Sequence, residues 1–347
     1  MIFIRTARTK ARTILYRTFV GDRRTRLYDL STIKPQQRQT RSPVIQFYSS
    51  VDNIGNFTPV IGIQEMLGHV TDTWCIHDKE IDFDFINSNY KCAIIGGAGL
   101  LHQCFEGFWT KFLNECKIPV IIWGVGVCLP DKTGVRKDLL DSTANAGVDR
   151  KIVAEVAKKC ELINVRDDLT AEYYGFDNAD ISACPTIKMM QNFRDSVDRN
   201  SQTALYSSHE ELVSEVDKQE IKATIAKSIT KFRYTDNIQR TYLGLNDIIS
   251  DYYCHSQLLI TTRLHGAIIS YGLGIPYIAI ARDAKMREFC RINGNGIGVQ
   301  SVGELKDILK DFSANTIELK PIAIEPVLNF GERAKAWVLQ YCDLSIN

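Results

Sequence analysis

The stretch Ile260-Thr261-Thr262-Arg263-Leu264-His265-Gly266-Ala267 places an arginine and a histidine two positions apart, where a strand-like apolar run gives way to a helical pattern. Residues two apart on extended backbone face the same side, so Arg263 and His265 reach one cleft together if the turn is still extended. A guanidinium there holds a carboxylate or phosphate, and an imidazole moves protons near neutral pH. The N–H groups of the helix start, at Leu264 and Gly266, add partial positive charge, which suits a multiply charged anion. An isolated histidine more often serves packing; the neighbouring arginine favours chemistry. A second arginine, Arg166, stands in Asn164-Val165-Arg166-Asp167-Asp168 at the end of another apolar run, either as an anion clamp or as half of a salt bridge. After the run Tyr277 to Ala281 come Arg282 and Lys285, either further cations at the same edge or solvated helix residues.

Three glycine-bearing turns follow other strand-like runs. Asn53, Gly55 and Asn56 lie in Ser49-Ser50-Val51-Asp52-Asn53-Ile54-Gly55-Asn56. There they either bring backbone N–H groups to an anion or sugar, or form an ordinary turn with Asn56 or Thr58 capping the next helix. Gly96-Gly97-Ala98-Gly99 ends the run Ala93 to Ile95, and Gly124-Val125-Gly126 ends the run Pro119 to Trp123. Neither is the spaced dinucleotide fingerprint, yet Gly97, Gly99 and Gly124 permit close approach of a ligand to the main chain. Two such turns at one sheet edge point to a cleft. His69, His77, His102, His209 and His255 show no HExxH or HxH spacing, so no metal site is expected. The ten cysteines sit in scattered apolar contexts and read as reduced, mostly buried thiols. The even spacing of Cys92, Cys104, Cys116 and Cys128 lacks the CxxC pair of a zinc site.

The elements that must position these residues alternate. Strand periodicity at Val44 to Tyr48, Ala93 to Ile95, Pro119 to Trp123 and Leu162 to Val165 is interleaved with helical spacing at Phe57 to Leu67, Phe105 to Cys116 and Arg150 to Cys160. A further helix begins near Asp167. That order predicts a parallel sheet covered by helices. From Pro185 to Thr203 the chain turns polar and loses period, which marks the crossing to a second domain. The pattern then resumes with strands at Ala204 to Tyr206, Leu258 to Thr261 and Tyr277 to Ile280, and helices at Glu211 to Ser228 and Asn246 to Tyr253. The expected fold is α/β, with two Rossmann-like domains facing a central cleft. Residues 1–42 read as a basic amphipathic arm and tether, 43–190 as the first domain, 200–325 as the second, and 326–347 as a C-terminal helix.

A chain of 347 residues is long enough for two such cores, and 45% hydrophobic with 24% charged residues is an ordinary globular composition. The net charge of +1 argues against a protein-wide grip on nucleic acid. Positive charge is concentrated in residues 1–27, where eight basic residues face Asp22 and Ile4, Ala7, Ala11, Ile14 and Leu15 recur at helical spacing. This arm reads either as a docking segment for an anionic membrane surface or as a solvated tail. Arg5 to Arg17 interrupt any signal-peptide core, and the apolar stretch Ala267 to Ala281 is too short to span a bilayer. A cytoplasmic protein is expected, peripheral at the inner face of the membrane if the arm docks there.

Taken together, the motifs resemble those of the polysaccharide pyruvyl transferase family, from Val51 to Gly294. Thr262-Arg263-Leu264-His265-Gly266, Gly272-Leu273-Gly274-Ile275-Pro276 and Asp283-Ala284-Lys285 look like the family's signature. Asn53-Ile54-Gly55-Asn56, Gly96 to Gly99 and Val165-Arg166-Asp167 resemble its other turns, except that Asn56 replaces the usual aspartate and Ala98 interrupts the glycines. The resemblance implies a glycosyltransferase-B-like fold, phosphoenolpyruvate as co-substrate, no other cofactor, and a sugar acceptor, free or lipid-linked. It implies Arg263 and His265 as catalytic, Arg166, Arg263, Leu264, Gly266 and Lys285 as donor-binding, and Asn53, Gly55, Asn56, Gly97, Gly99 and Gly124 as acceptor or cleft residues. The rival readings are a nucleotide-sugar-dependent glycosyltransferase of the same architecture and a non-catalytic anion or glycan binder. The oligomeric state is left open.

Overall fold

The structure, a computed structural model, describes residues 21–49, 52–77, 80–130, 135–141, 147–209, 213–281, 283–293, 296–310, 317 and 321–342. The amphipathic pattern in residues 1–20 and Arg282 lie outside them. Two parallel sheets form. The first takes β1 (Val44–Tyr48), β2 (Asp72–Cys75), β3 (Cys92–Gly96), β4 (Val120–Val125), β5 (Cys160–Val165) and β6 (Asp180–Ile181), in the order β2-β1-β3-β4-β5-β6. The second takes β7 (Ala204–Ser207), β8 (Phe232–Thr235), β9 (Leu258–Thr261), β10 (Tyr277–Ile280) and β11 (Gly296–Val299), in the order β11-β10-β9-β7-β8. Registers such as Ile94↔Ile121 and Leu205↔Leu259 align apolar positions across neighbouring strands.

The apolar runs are continuous because both faces of each sheet are covered. Ile45, Phe47, Ala93 and Ile122 face one core of the first sheet, whereas Val44, Ile94, Ile121 and Trp123 face another. Around the first sheet lie α1 (Ile54–Leu67), α2 (Phe83–Asn89), α3 (Glu106–Glu115), α4 (Arg136–Leu140), α5 (Arg150–Ala157) and α6 (Asp168–Tyr174). After α7 (Thr186–Met190), the second sheet carries α8 (Glu215–Ser228), α9 (Leu264–Leu273), α10 (Ala284–Ile292) and α11 (Val302–Lys310). The last helix, α12 (Glu325–Tyr341), returns to the first sheet, where Phe330 meets Trp123 at 5.2 Å between ring centroids.

Both sheets are wound from the middle. The chain leaves β1 for β2 on one side and comes back to β3 on the other, and it repeats that reversal from β7 through β8 to β9. Each sheet therefore has a switch point, and ligands bind outside the strand ends at such points.

The structure departs from the sequence reading in several places. Strands β2, β6, β8 and β11 and helices α2, α4 and α11 were not predicted; β6 is only two residues long, and β8 and β11 are partly exposed, so their period is weak. Helix α1 begins at Ile54 rather than Phe57, because Asn53 rather than Asn56 or Thr58 caps it, its side chain accepting from the Gly55 N–H at 3.0 Å. The polar crossing contains α7, whose Thr186, Ile187, Met189 and Met190 are buried between α1 and α9. The 21–42 part of the supposed tether is docked: Asp29 is buried, bonding the Tyr48 hydroxyl and the Cys75 N–H, and Leu30 joins the first core.

Candidate functional site

A cavity of about 300 Å³ opens where the two switch points face each other. From the ends of β1 and β3 come Ser49, Asn53, Asn56 and Gly99; from beyond β7 and β9 come His209, Thr262, Arg263, Leu264 and His265. Cys128 and Arg166 enter after β4 and β5, Asp283 and Lys285 at the start of α10, and His102 and Phe105 complete the lining.

The turn after β9 is fixed by its own hydrogen bonds. The Thr262 N–H donates to the Ser207 carbonyl at 3.0 Å, the Arg263 N–H to Thr261 Oγ1 at 2.9 Å, and the His209 N–H to Thr262 Oγ1 at 2.9 Å. Arg263 is the N-cap of α9, with extended backbone and no side-chain cap bond; its Nε donates instead to the Ser208 carbonyl at 2.7 Å. The first N–H groups of α9 thus adjoin the cavity, and helix N-termini favour anions; those of α1 are already taken, by the Asn237 carbonyl and by the side chain and carbonyl of Asn53.

His265 follows in the first turn of α9, with Nε2 4.0 Å from Cys184 Sγ. Its ring rests on the start of α1: a Cβ on Gly55 would lie 2.5 Å from the ring's Cγ, so only glycine allows this approach. Burial first, then the charges of Arg166, Lys285 and Arg263, hold the His265 pKa down at about 3. The imidazole is therefore neutral around pH 7 and starts as a proton acceptor.

Arg166 is buried across the cavity. Its Nη2 donates to the Val127 carbonyl at 3.2 Å and its Nε to Asp167 Oδ2 at 3.4 Å. Asp167 is itself committed to capping α6, accepting from the Thr170 N–H at 2.8 Å. Arg166 thus makes the ion pair that the sequence allowed and also lines the cavity. The third cation, Lys285, places Nζ 3.2 Å from Asp283 Oδ2 and 3.8 Å from Cys128 Sγ. Cys128 above all, then Asp283, hold the Lys285 ammonium's pKa above its ordinary value against burial and Arg166. Among the described residues, three cations and the start of α9 stand around one lining carboxylate, Asp283, which makes this part of the cavity electropositive.

Residues 23–284, about three quarters of the chain, match the family model of polysaccharide pyruvyl transferase. The chain belongs to this family. As a polysaccharide pyruvyl transferase family member it is a transferase of polysaccharide biosynthesis. No curated protein matches it. Among solved structures it is similar to the UDP-GlcNAc 2-epimerase from Neisseria meningitidis bound to UDP-GlcNAc, at 14% identity and a TM-score of 0.45, covering 86% of this chain and 99% of that one. It is also similar to the UDP-GlcNAc 2-epimerase from Methanocaldococcus jannaschii in complex with UDP-GlcNAc and UDP, at 11% identity and a TM-score of 0.46, with 86% and 99% covered. The wall teichoic acid polymerase TagF matches at 11% identity and a TM-score of 0.43, with 86% of this chain and 90% of that chain covered.

In this family member the structure brings Arg166, Arg263, Leu264, His265, Lys285, Asn53, Asn56 and Gly99 to one cavity. Gly55, Gly97, Gly124 and Gly266 do not line it. Gly97 and Gly124 have φ of +82° and +69°, and a Cβ on either would strike Pro59 or Pro185; Gly266 lies against Thr261. These glycines join elements rather than admit a ligand. Ala98 holds φ of 63°, a left-handed backbone costing an L-residue about 1 kcal/mol.

His102, Phe105, Cys128, His209, Thr262 and Asp283 line the same cavity and were not singled out as site residues. His102, whose pKa is lowered by burial and by Lys285, has no motif around it. His209 lies just beyond β7, but only the strand order identifies that end as a switch point. Among the described residues no cluster suited to a metal ion occurs, and no helix is long and apolar enough to cross a membrane.

Proposed function

We propose that the chain transfers the enolpyruvyl group of phosphoenolpyruvate to a sugar of a surface polysaccharide or its lipid-linked precursor, forming a pyruvate ketal and releasing phosphate. The convergence of Arg166, Arg263 and Lys285 on a neutral His265 at two facing switch points carries this reading. A donor with a carboxylate and a phosphate needs cations from more than one direction, and the two domains supply them. Arg166 and Arg263 hold the two anionic groups, the start of α9 at Leu264 adds its N–H groups, and Lys285 offsets charge on the leaving phosphate.

The sugar enters along the α1 start, where Asn53 and Asn56 offer amides for hydroxyls. A first hydroxyl attacks C2 as its proton passes to His265, and the donor's anionic charge raises the basicity that the surrounding cations suppress. A proton is added at C3, phosphate leaves with the proton returned by His265, and a second hydroxyl closes the ketal. The donor carries its own leaving group, so this chemistry calls for no further cofactor. A lipid-linked acceptor at the inner face of a membrane fits the basic segment in residues 1–27, which would dock on anionic lipid.

The test is phosphate release from phosphoenolpyruvate with galactose, glucose and N-acetylmannosamine acceptors, with His265→Ala as control. Acceptor-dependent release that falls by about 10²–10⁴-fold in the variant, with donor binding retained, supports the assignment. No release with any acceptor, together with thermal stabilisation by a nucleotide sugar, replaces it with the glycosyltransferase reading.

A further inference from the structure

The proposed reaction needs two proton-handling groups: one takes a proton from oxygen, and the other gives one to carbon. We propose that Cys128 is the acid that protonates C3 of the donor, so that proton work is divided between Cys128 on the first domain and His265 on the second. This rests on the phosphoenolpyruvate reading. Cys128 lines the cavity from the connection after β4, and its thiol donates to the Gly99 carbonyl at 3.9 Å while accepting from the Lys285 ammonium at 3.8 Å. Room for the sulfur is made by Gly99, beyond the end of the neighbouring strand β3. A Cβ on Gly99 would lie 2.7 Å from Cys128 Sγ, and among the described residues the sulfur is the only atom it would meet within 4 Å.

The other lining groups are less suited to giving this proton. His265 begins neutral and is occupied by the acceptor hydroxyl. Asp283 caps α10, accepting from the Met286 N–H at 3.0 Å, and pairs with Lys285. Arginine does not give up protons in proteins, and the Lys285 ammonium is paired with Asp283 at 3.2 Å. His102 is held below its ordinary value, so it too is neutral near pH 7. His209 is tied through its backbone to Thr262, on the same wall as His265.

In the step, the C2–C3 π pair takes the thiol proton and becomes a C–H bond, giving the methyl group. The S–H pair stays on sulfur as a thiolate facing the Lys285 ammonium. The first sugar oxygen bonds to C2 and its proton goes to His265, which passes it to the departing phosphate as the C2–O bond breaks. The second hydroxyl adds to C2, and its proton restores the Cys128 thiol. One proton thus reaches C3 and one leaves with phosphate, matching the two lost by the hydroxyls.

The experiment compares the full chain with Cys128→Ser and Cys128→Ala for phosphoenolpyruvate affinity by calorimetry and for phosphate release across pH with the three sugar acceptors. The expected result is affinity within about threefold of the unaltered chain and release slowed by about 10²–10⁴-fold across the pH range. Release within about threefold in both variants overturns the acid role, as does a fall in release that only tracks weaker donor binding. If the unaltered chain binds no phosphoenolpyruvate, the donor assignment fails and the acid falls with it. If it binds and releases phosphate while the variants match it, the donor stands and only Cys128 is wrong.

Discussion

A histidine placed among three cations behaves differently from one in water. For His265, the folded chain refuses a proton down to about pH 3, whereas the unfolded chain accepts it near 6.5. Between those values the unfolded state binds more protons, so this residue's contribution to stability is complete above pH 6.5 and is lost as the pH falls toward 3. His265→Asn should therefore lose less stability than the unaltered chain between pH 7 and pH 4. The difference expected is on the order of 2 kcal/mol, allowing for the water that reaches the half-buried ring. Urea denaturation at the two pH values measures it; parallel losses in both chains mean that the imidazole is not held neutral by its surroundings. The Arg263 and His265 pair was legible in the sequence because a strand end running into a helix start delivers both residues to one place, although the backbone is already helical at His265 rather than extended. His102 and His209 were not, since their place beside that pair depends on strand order. Cys128 was hidden for a related reason: Lys285, which identifies it, is 157 positions away in the chain.

At the scale of elements, the glycines that look like ligand-approach sites mostly serve as contact points between helices and turns. Helix α7 is held between the domains by such contacts. A Cβ on Gly62 of α1 would lie 2.1 Å from the Pro185 carbonyl oxygen, and Gly272 of α9 lies against Met190. Thr58 and Thr186 share a buried hydrogen bond at 2.9 Å across the same contact. Gly62→Ala must move backbone, and about 1–3 kcal/mol of destabilisation is expected. Gly107→Ala makes the same substitution in α3, where a Cβ meets nothing within 4 Å, so it should be neutral or stabilising by up to about 1 kcal/mol. Thermal or urea unfolding checks both; equal effects would remove α7 as a wedge. The strands with unbroken apolar runs, β1, β3, β4, β9 and β10, were readable because both their faces are buried. The sequence around α7 misled, because its buried residues face two helices from different domains and so show no single-faced period.

For the whole molecule, the question is whether the cleft closes on its ligand or is already closed. Two-domain proteins usually move unless the interface is large and apolar. Here one apolar cluster runs from Ile54 and Phe57 through Ile187 and Met190 to Leu205, Leu259 and Ile268, crossing from the first domain to the second. The Ile54 N–H donates to the Asn237 carbonyl at 3.0 Å and the Gln239 N–H to the Asp52 carbonyl at 2.8 Å. Elsewhere Arg136 pairs with Glu288 at 2.9 Å and Arg291 with Asp168 at 2.6 Å, joining α4 and α6 to α10. Residues 21–30 lie across both halves: Arg23 bonds the Thr241 carbonyl and pairs with Asp247, whereas Asp29 and Leu30 are buried in the first domain. A hinge swing would have to break this apolar contact, the backbone bonds and the ion pairs together, so the site is pre-assembled and donor binding should leave the radius of gyration unchanged within about 0.5 Å. Small-angle scattering with and without phosphoenolpyruvate measures this directly. A contraction of several ångströms would show that the cleft closes on its donor and that the positions of Arg166 and Arg263 relative to each other are set only in the complex.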